Sequence, residues 1–393
     1  MALLSMAPGA QAYSVLTHEA IIDITWDQTI QPRLLARFPG TTPDQLVVAH
    51  GYAYGGAIIQ DMGYYPFSSK LFSDLVHYSR TGDFVVNLLR EAQDVNEYAF
   101  AMGALAHYAA DNNGHPIAVN RVVPMLYPKD RAKFGDKVTY EDDPTAHIRT
   151  EFGFDVVEVA KGRYASKAYH DFIGFQVSKP VLERAFTDTY GVELKDIFKS
   201  LDLALGTYRR TVSTTIPEMS KAAWAAKKKD IQASQPGITR RQFMYNLSRS
   251  SYEKEWGHQY EKPGFGARFL AVVMRIVPKV GPFKALAFKV PTPEAEKLFM
   301  DSFDKSVVRF KELAAQMDGE APRLANQNFD TGQPTRAGEY HMADDTYAKL
   351  LEKLADHKSP VPEDLRANIL AFYSGQPLEA SEKARQELMA LRH

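Results

Sequence analysis

The stretch from Asp142 to Gly162, DDPTAHIRTEFGFDVVEVAKG, carries the signals of a helix at both ends. Asp143 offers an oxygen to the free amides of a first turn, Pro144 needs no amide hydrogen there, and Gly162 supplies the stop. Within it His147 and Glu151 lie four residues apart and so share one helical face. The same grammar recurs upstream. In TTPDQLVVAHGYAYGGAIIQDMG, residues 41–63, Thr42 caps, Pro43 occupies the first turn and Gln45 completes a capping box. SSKLFSDLVHYSRTG predicts a shorter amphipathic helix with Leu71, Phe72, Leu75 and Val76 inward and a stop at Thr81-Gly82. A further helix starts near Asp94 and is expected to end at the Asn-Asn-Gly breaker, residues 112–114. No period-2 pattern is sustained before residue 215, and no internal repeat is present. The expected class is all-α, a multi-helix bundle.

Beyond residue 215 the pattern changes. Residues 224–243, WAAKKKDIQASQPGITRRQF, read as a polar hinge. Residues 269–290, FLAVVMRIVPKVGPFKALAFKV, are strongly apolar, but Arg275, Lys279, Lys284, Lys289 and two prolines argue against a transmembrane span. Either an apolar helix pair packs there on the core, or the segment meets a membrane interface with snorkelling lysines. A long helix is expected from Thr292-Pro293 to about Gln316. DTGQPTRAGEYH, residues 330–341, reads as a loop, and short helices complete a helical C-terminal extension.

With 393 residues and 45% apolar content the chain can bury a large core. A net charge of −1 argues against broad electrostatic capture of nucleic acid. Cysteine is absent, so any metal must be held by nitrogen and oxygen. The N-terminal MALLSMAPGAQAYS contains Ala10-Gln11-Ala12, the small-x-small form of a signal-peptidase site. Residues 1–12 then read as the tail of an export signal, with a floppy extension as the plainer alternative. The expected organisation is 1–12 as that remnant, 13–215 as a helical domain, 216–330 as a helical extension and 331–393 as a C-terminal tail.

The residues that carry chemistry cluster early. HYAADNNGH, His107 to His115, puts His107 and Asp111 one turn apart, where both can reach one ion, with His115 beyond the break and free to aim at a neighbouring ion. His147 and Glu151 repeat the spacing. Asp61 ends one helix, His77 lies in the next, and His18 precedes an apolar helix containing Ile21, Ile22 and Trp26. Six of the 11 histidines fall in the first 151 residues, and all but His50 have a carboxylate or a helix end nearby. A bundle turning these groups inward creates a polar core that is costly unless cations neutralise it. Nitrogen and oxygen ligands without thiolate suit zinc.

The ordered series Tyr13, His18, Asp61, His77, His107-x-x-x-Asp111, His115, His147-x-x-x-Glu151 resembles the zinc-dependent phospholipases C and the related single-strand-specific nucleases. The resemblance implies a helical fold with three zinc ions in a cleft, and it covers roughly residues 13–165. Asp61, His77, His107 and Asp111 would hold one zinc; His115, His147 and Glu151 a second. The third would take the freed amine and carbonyl of Tyr13, His18 and a bridging Asp111, which ties the site to cleavage after Ala12. Two departures stand out: the family usually begins with tryptophan, and its histidine usually follows the central aspartate by six residues rather than four. Asp61 is implied as the residue that orients or deprotonates the attacking water. Grouped zinc ions suit phosphodiester hydrolysis because they lower the pKa of a bound water to about 7 and neutralise phosphoryl oxygens.

A phospholipid substrate is the first expectation, because Glu151 as last ligand is phospholipase-like, and it brings with it export and a peripheral membrane contact at 269–290. A nuclease is the alternative, on the short step from Tyr13 to His18. Tyr52, Tyr54, Tyr64, Tyr65 and Phe67, around Asp61, would then stack bases, line a lipid pocket or simply pack in the core. A zinc-stabilised domain that binds phosphate ligands without turnover is the third reading. No protein partner is implied.

Overall fold

The computed structural model describes residues 14–163, 175–212, 216–246, 287–317, 323–357, 360–374 and 380–392. Among them the protein is helical almost throughout, as its capping signals and apolar stripes require. The chain opens with α1 (Val15–Thr25), a π-helical turn (Trp26–Ile30) and α2 (Gln31–Arg37). Then come α3 (Pro43–Ile58), a 3-10 turn (Ile59–Tyr64), α4 (Lys70–Tyr78), α5 (Thr81–Glu91) and α6 (Val95–Asn113). The Thr42 capping box forms in full. Asp94 caps α6 through the amides of Asn96 and Glu97, and Thr292 caps a later helix through that of Ala295.

α3 and α6 form the spine of the bundle. Both carry glycines where they cross, and the backbones approach so closely that a Cβ on Gly56 would sit 1.8 Å from the Phe100 carbonyl oxygen. Only a hydrogen fits there. The crossing sets the end of α3 against the middle of α6, so that the turn after α3 carries Asp61 toward the side chains of α6.

Two expectations about helix ends are corrected here. The stretch ending in Thr81-Gly82 does not stop there. α4 ends at Tyr78, Arg80 takes a left-handed conformation (φ 49°), and Thr81 begins α5. Nor does Asn-Asn-Gly break α6: Gly114 keeps helical angles and the chain passes into a π-helical turn, Gly114–Val119, before α7 (Asn120–Leu126). Asn112 and Asn113 turn their side-chain amides back onto the carbonyls of Tyr108 and Ala109, so they reinforce the helix instead of ending it.

α8 (Pro128–Phe134) leads to α9 (Pro144–Ala160), which has the Asp143 cap, the Pro144 start and a positive φ at Gly162. α10 (Lys179–Tyr190), α11 (Leu194–Ile197) and α12 (Leu201–Arg210) complete the first half. The segment read as a hinge is largely helical: α13 (Ile216–Ser234) and α14 (Arg240–Asn246) bury Trp224, Ile231 and Phe243, which the polar residues between them mask in a sequence average. Residues 269–286 of the apolar, basic stretch lie outside the described residues. Its end is seated on the bundle, with Phe288 edge-on to Phe152 and Lys289 donating to the Leu126 carbonyl. Among the described residues no helix is long and apolar enough to cross a membrane.

α15 (Pro293–Ala315) buries Phe299, Phe303 and Phe310, and Phe299 stacks on Phe154 of α9 at 4.1 Å. After it, β1 (Gln327–Asn328) and β2 (Gln333–Pro334) make a two-stranded antiparallel ribbon within the stretch expected to be loop. α16 (His341–Asp356), α17 (Glu363–Phe372) and α18 (Glu382–Arg392) close the chain. Buried residues of both halves belong to one continuous core.

Candidate metal centre

α6 sets the geometry. His107 and Asp111, one turn apart, face inward with His107 Nε2 3.1 Å from Asp111 Oδ2. His107 Nδ1 lies 2.9 Å from the Ala57 carbonyl oxygen of α3. A carbonyl only accepts, so Nδ1 carries the proton and Nε2 is left with a lone pair. His77, in the last turn of α4, is fixed the same way: its Nδ1 donates to Ser73 O at 2.8 Å. Its Nε2 stands 3.4 Å from Asp61 Oδ1 and 3.5 Å from Asp111 Oδ2. Asp61 enters from the 3-10 turn that follows α3, where Ser73 ties the turn down by donating to Gln60 O and accepting from Gly63 N.

His18 comes from α1. Its ring stacks on His107 at 4.4 Å, and Nε2 is 3.6 Å from Asp111 Oδ1. Asp155 of α9 holds the start of α1 in place by accepting from Leu16 N at 3.1 Å and Thr17 Oγ1 at 2.7 Å. On α9, His147 Nε2 donates to Val138 O at 2.7 Å, leaving Nδ1 3.7 Å from Glu151 Oε1. His115 sits on the π-helical turn, and its ring centroid is 5.7 Å from that of His147. The extra residue of such a turn re-aims the side chains that follow it. This gives a physical basis for a histidine only four residues after Asp111 still facing His147.

The expected site residues within the described part thus converge on three groups: His18, His107 and Asp111; Asp61, His77 and His107; His115, His147 and Glu151. Tyr13 lies outside the described residues. Each converging side chain is at most 2% exposed. The atoms these groups turn toward one another (both oxygens of Asp61, Asp111 and Glu151, Nε2 of His77 and His107, Nδ1 of His147) are buried with no hydrogen-bond partner, and Nδ1 of His115 is likewise buried without one. Their protonation equilibria pull in opposite directions. Burial pushes Glu151 up to about 8 and raises Asp61. Burial, then the neighbouring His107, takes His18 down to about 3. Burial opposes charge on Asp111 too, yet the histidines around it, His107 foremost, hold its carboxyl well below the usual range. His77 is likewise raised to about 10, against its burial, by Asp111 and Asp61.

Such a nest is costly unless cations neutralise it. The donor set fits zinc: imidazole nitrogens with their far sides anchored on carbonyls, carboxylate oxygens, and no thiolate. Residues 17–200 of the 393 match the family described as zinc dependent phospholipase C. Residues 17–200 are a zinc-dependent phospholipase C domain. No curated protein matches the chain, and no solved structure does. The matched domain contains every expected site residue except Tyr13.

Two features around the phospholipase C domain's cluster were not expected from the sequence. Asp330, from the ribbon after α15 and outside the matched residues, places Oδ1 3.1 Å from His115 Nδ1. Phe329 beside it packs on the rings of His77 and His107 at 5.3 and 5.9 Å. An aspartate in a polar stretch 179 positions from Glu151 has no spacing signal to mark it. Among the aromatic residues expected near Asp61, Tyr64 lies by the site, 5.9 Å from the His77 ring. Tyr54 instead donates to Asp23 in a separate buried group with His50 and Trp26, Tyr65 packs on Tyr208, and Phe67 is exposed. His50 therefore has a carboxylate neighbour after all, Asp23 at 3.2 Å, supplied by another helix.

Proposed function

We propose that the protein is a zinc-dependent phosphodiester hydrolase that cleaves phospholipid head groups, using up to three zinc ions. The observation that carries this reading is the set of buried donor atoms, without hydrogen-bond partners, in three adjoining groups inside a zinc-dependent phospholipase C domain. Asp61, His77, His107 and Asp111 would hold one ion and His115, His147 and Glu151 a second. His18 and Asp111, with the amine and carbonyl of Tyr13, would hold the third. When bound, the ions supply a water acidic enough to ionise near neutral pH and positive charge for phosphoryl oxygens.

The chain's own groups do the rest. The carbonyls of Ser73, Ala57 and Val138 keep three imidazoles in the tautomer that presents a lone pair inward. Asp61 has one oxygen near His77 and no hydrogen bond on either, which leaves a carboxylate able to orient the attacking water and take its proton. We also propose export with cleavage after Ala12, since only a freed Tyr13 amine could join His18. The docking of Leu16 and Thr17 on Asp155, close to His18, supports that arrangement.

The test is initial hydrolysis of a short-chain phosphatidylcholine and of a single-stranded oligonucleotide by zinc-loaded protein beginning at Tyr13, with and without chelator. Chelator-sensitive release of phosphocholine is expected. Cleavage of the oligonucleotide alone moves the chain to the nuclease reading. Asp61→Asn should keep the helical fold and lose hydrolysis by a factor of about 100 or more. Unchanged turnover in that variant would remove Asp61 from the mechanism.

A further inference from the structure

The segment after α15 is fastened to the domain at every step. Asn326 Oδ1 accepts from Gly82 N and Asp83 N at 3.0 Å, and Gln327 exchanges two hydrogen bonds with Thr81. Phe329 N donates to His77 O at 3.1 Å, and Asn120 Nδ2 donates to Asp330 O at 2.7 Å. Asp330 itself is 1% exposed. Its Oδ2 is fully engaged, accepting from Tyr140 N at 2.9 Å and Tyr340 Oη at 2.7 Å. Its Oδ1 has no hydrogen-bond partner, although His115 Nδ1 is only 3.1 Å away and also has none. The two atoms are close enough for a hydrogen bond and are not aligned for one.

The same signature marks the histidine–carboxylate pairs of the centre. His107 and Asp111 stand 3.1 Å apart, His77 and Asp61 3.4 Å, His147 and Glu151 3.7 Å, and each facing atom is buried without a hydrogen bond. Two donors at about 2.0–2.2 Å from one tetrahedral ion lie roughly 3.3–3.6 Å apart. By contrast, His50 and Asp23 are 3.2 Å apart, but that Asp23 oxygen also accepts from the Tyr54 hydroxyl.

We propose that Asp330 Oδ1 is a ligand of the second cation, completing His115, His147 and Glu151 from outside the phospholipase C domain. Two imidazoles and two carboxylates then make a neutral four-donor site for a divalent ion. The C-terminal half becomes part of the metal centre rather than an appendage. This rests on the reading of the cluster as a zinc centre, which the unaltered protein tests on its own.

Full-length protein, Asp330→Asn and Asp330→Cys should be loaded with zinc or cobalt, with helicity checked by circular dichroism. The unaltered chain should retain its full complement of ions after gel filtration. Asp330→Asn should retain one fewer, or hold that one more weakly by over about 100-fold in chelator competition, beyond the usual loss of an outer hydrogen-bond partner. The chain has no cysteine, so a thiolate-to-cobalt charge-transfer band in Asp330→Cys can only come from position 330 touching the ion. Full stoichiometry and affinity in Asp330→Asn would overturn the assignment. So would weakened binding with no charge-transfer band in Asp330→Cys, which would make Asp330 a positioning residue for His115. If Asp330→Asn fails to fold, the cobalt spectrum of Asp330→Cys decides alone. Failure of the unaltered protein to bind either metal would instead sink the zinc reading itself.

Discussion

Gly103 of α6 lies so close to Ala53 of α3 that a Cβ on the glycine would come within 2.1 Å of the Ala53 carbonyl oxygen. The contact is backbone against backbone, so no side chain can move aside. One turn further along the same two helices, Ala57 O fixes His107. A methyl at position 103 must push the helices apart and pull that carbonyl off the imidazole. Gly103→Ala is therefore expected to lower stability by about 1–3 kcal/mol, the usual cost of overpacking, and to weaken zinc retention along with it. Urea unfolding and metal analysis would check both. A variant with unchanged metal affinity would uncouple the crossing from the site.

Removal of metal should be felt by the whole bundle. Asp61, Asp111 and Glu151 come from three separate elements, and their oxygens are buried in the interior with no hydrogen-bond donors to replace a cation. Leaving buried charge without compensation costs on the order of several kcal/mol. Chelator is expected to lower the thermal midpoint by about 5 °C, at roughly 1 °C per kcal/mol for a chain this long unfolding as one unit. Added zinc should restore it. A midpoint indifferent to chelator would mean that metal contributes nothing to the fold.

Helix positions were readable from the sequence wherever local chemistry decides them. The Thr42 and Asp143 caps, the helix starts near Asp94 and Thr292 and the Gly162 stop all rest on signals within four residues, and each is observed. The same locality put His107 with Asp111 and His147 with Glu151. What could not be read depended on distant partners. The Asn-Asn-Gly run looked like a break because its propensity says so. In the folded chain, Gly332 packs against Asn112 and Pro116, and a π-helical turn forms there. Trp224 and Phe243 pack on one another at 5.0 Å between lysine-rich turns, so the stretch averages as polar while its inward face does not. Asp330 reaches His115 only because Tyr340, Asn120 and Thr81 fasten its segment, and no period or motif reports that.

Phe329 shows what the ribbon after α15 contributes by packing alone. Its ring is fully buried against His77, His107 and Tyr108. Phe329→Ala should cost about 3–5 kcal/mol, the range for emptying an aromatic site in a core. Phe329→Leu should cost distinctly less. Denaturant titration of the zinc-loaded proteins would measure both. Equal stability of the three proteins would show that the ribbon does not close over the imidazoles in solution.

The last expectation concerns pH and lies away from the metal ligands. Glu158 of α9 has a buried side chain, with Oε2 accepting from Arg163 at 2.8 Å and Oε1 without a hydrogen bond. Burial is the main cause that raises it from 4.5 to about 7; Arg163 opposes the shift and Glu296 adds to it. Between those two values the unfolded chain has lost the proton while the native chain keeps it. Stability from this group is therefore full below about pH 4.5, falls as pH rises, and is lost above about pH 7. The span corresponds to on the order of 3 kcal/mol. Glu158→Gln removes the titration and leaves Arg163 its second partner, Glu296 at 3.0 Å. The variant should unfold at a midpoint close to the parent's at pH 5 and above it at pH 8, with a flatter profile between. A parallel profile in parent and variant would show that Glu158 is already ionised in the native state at pH 5.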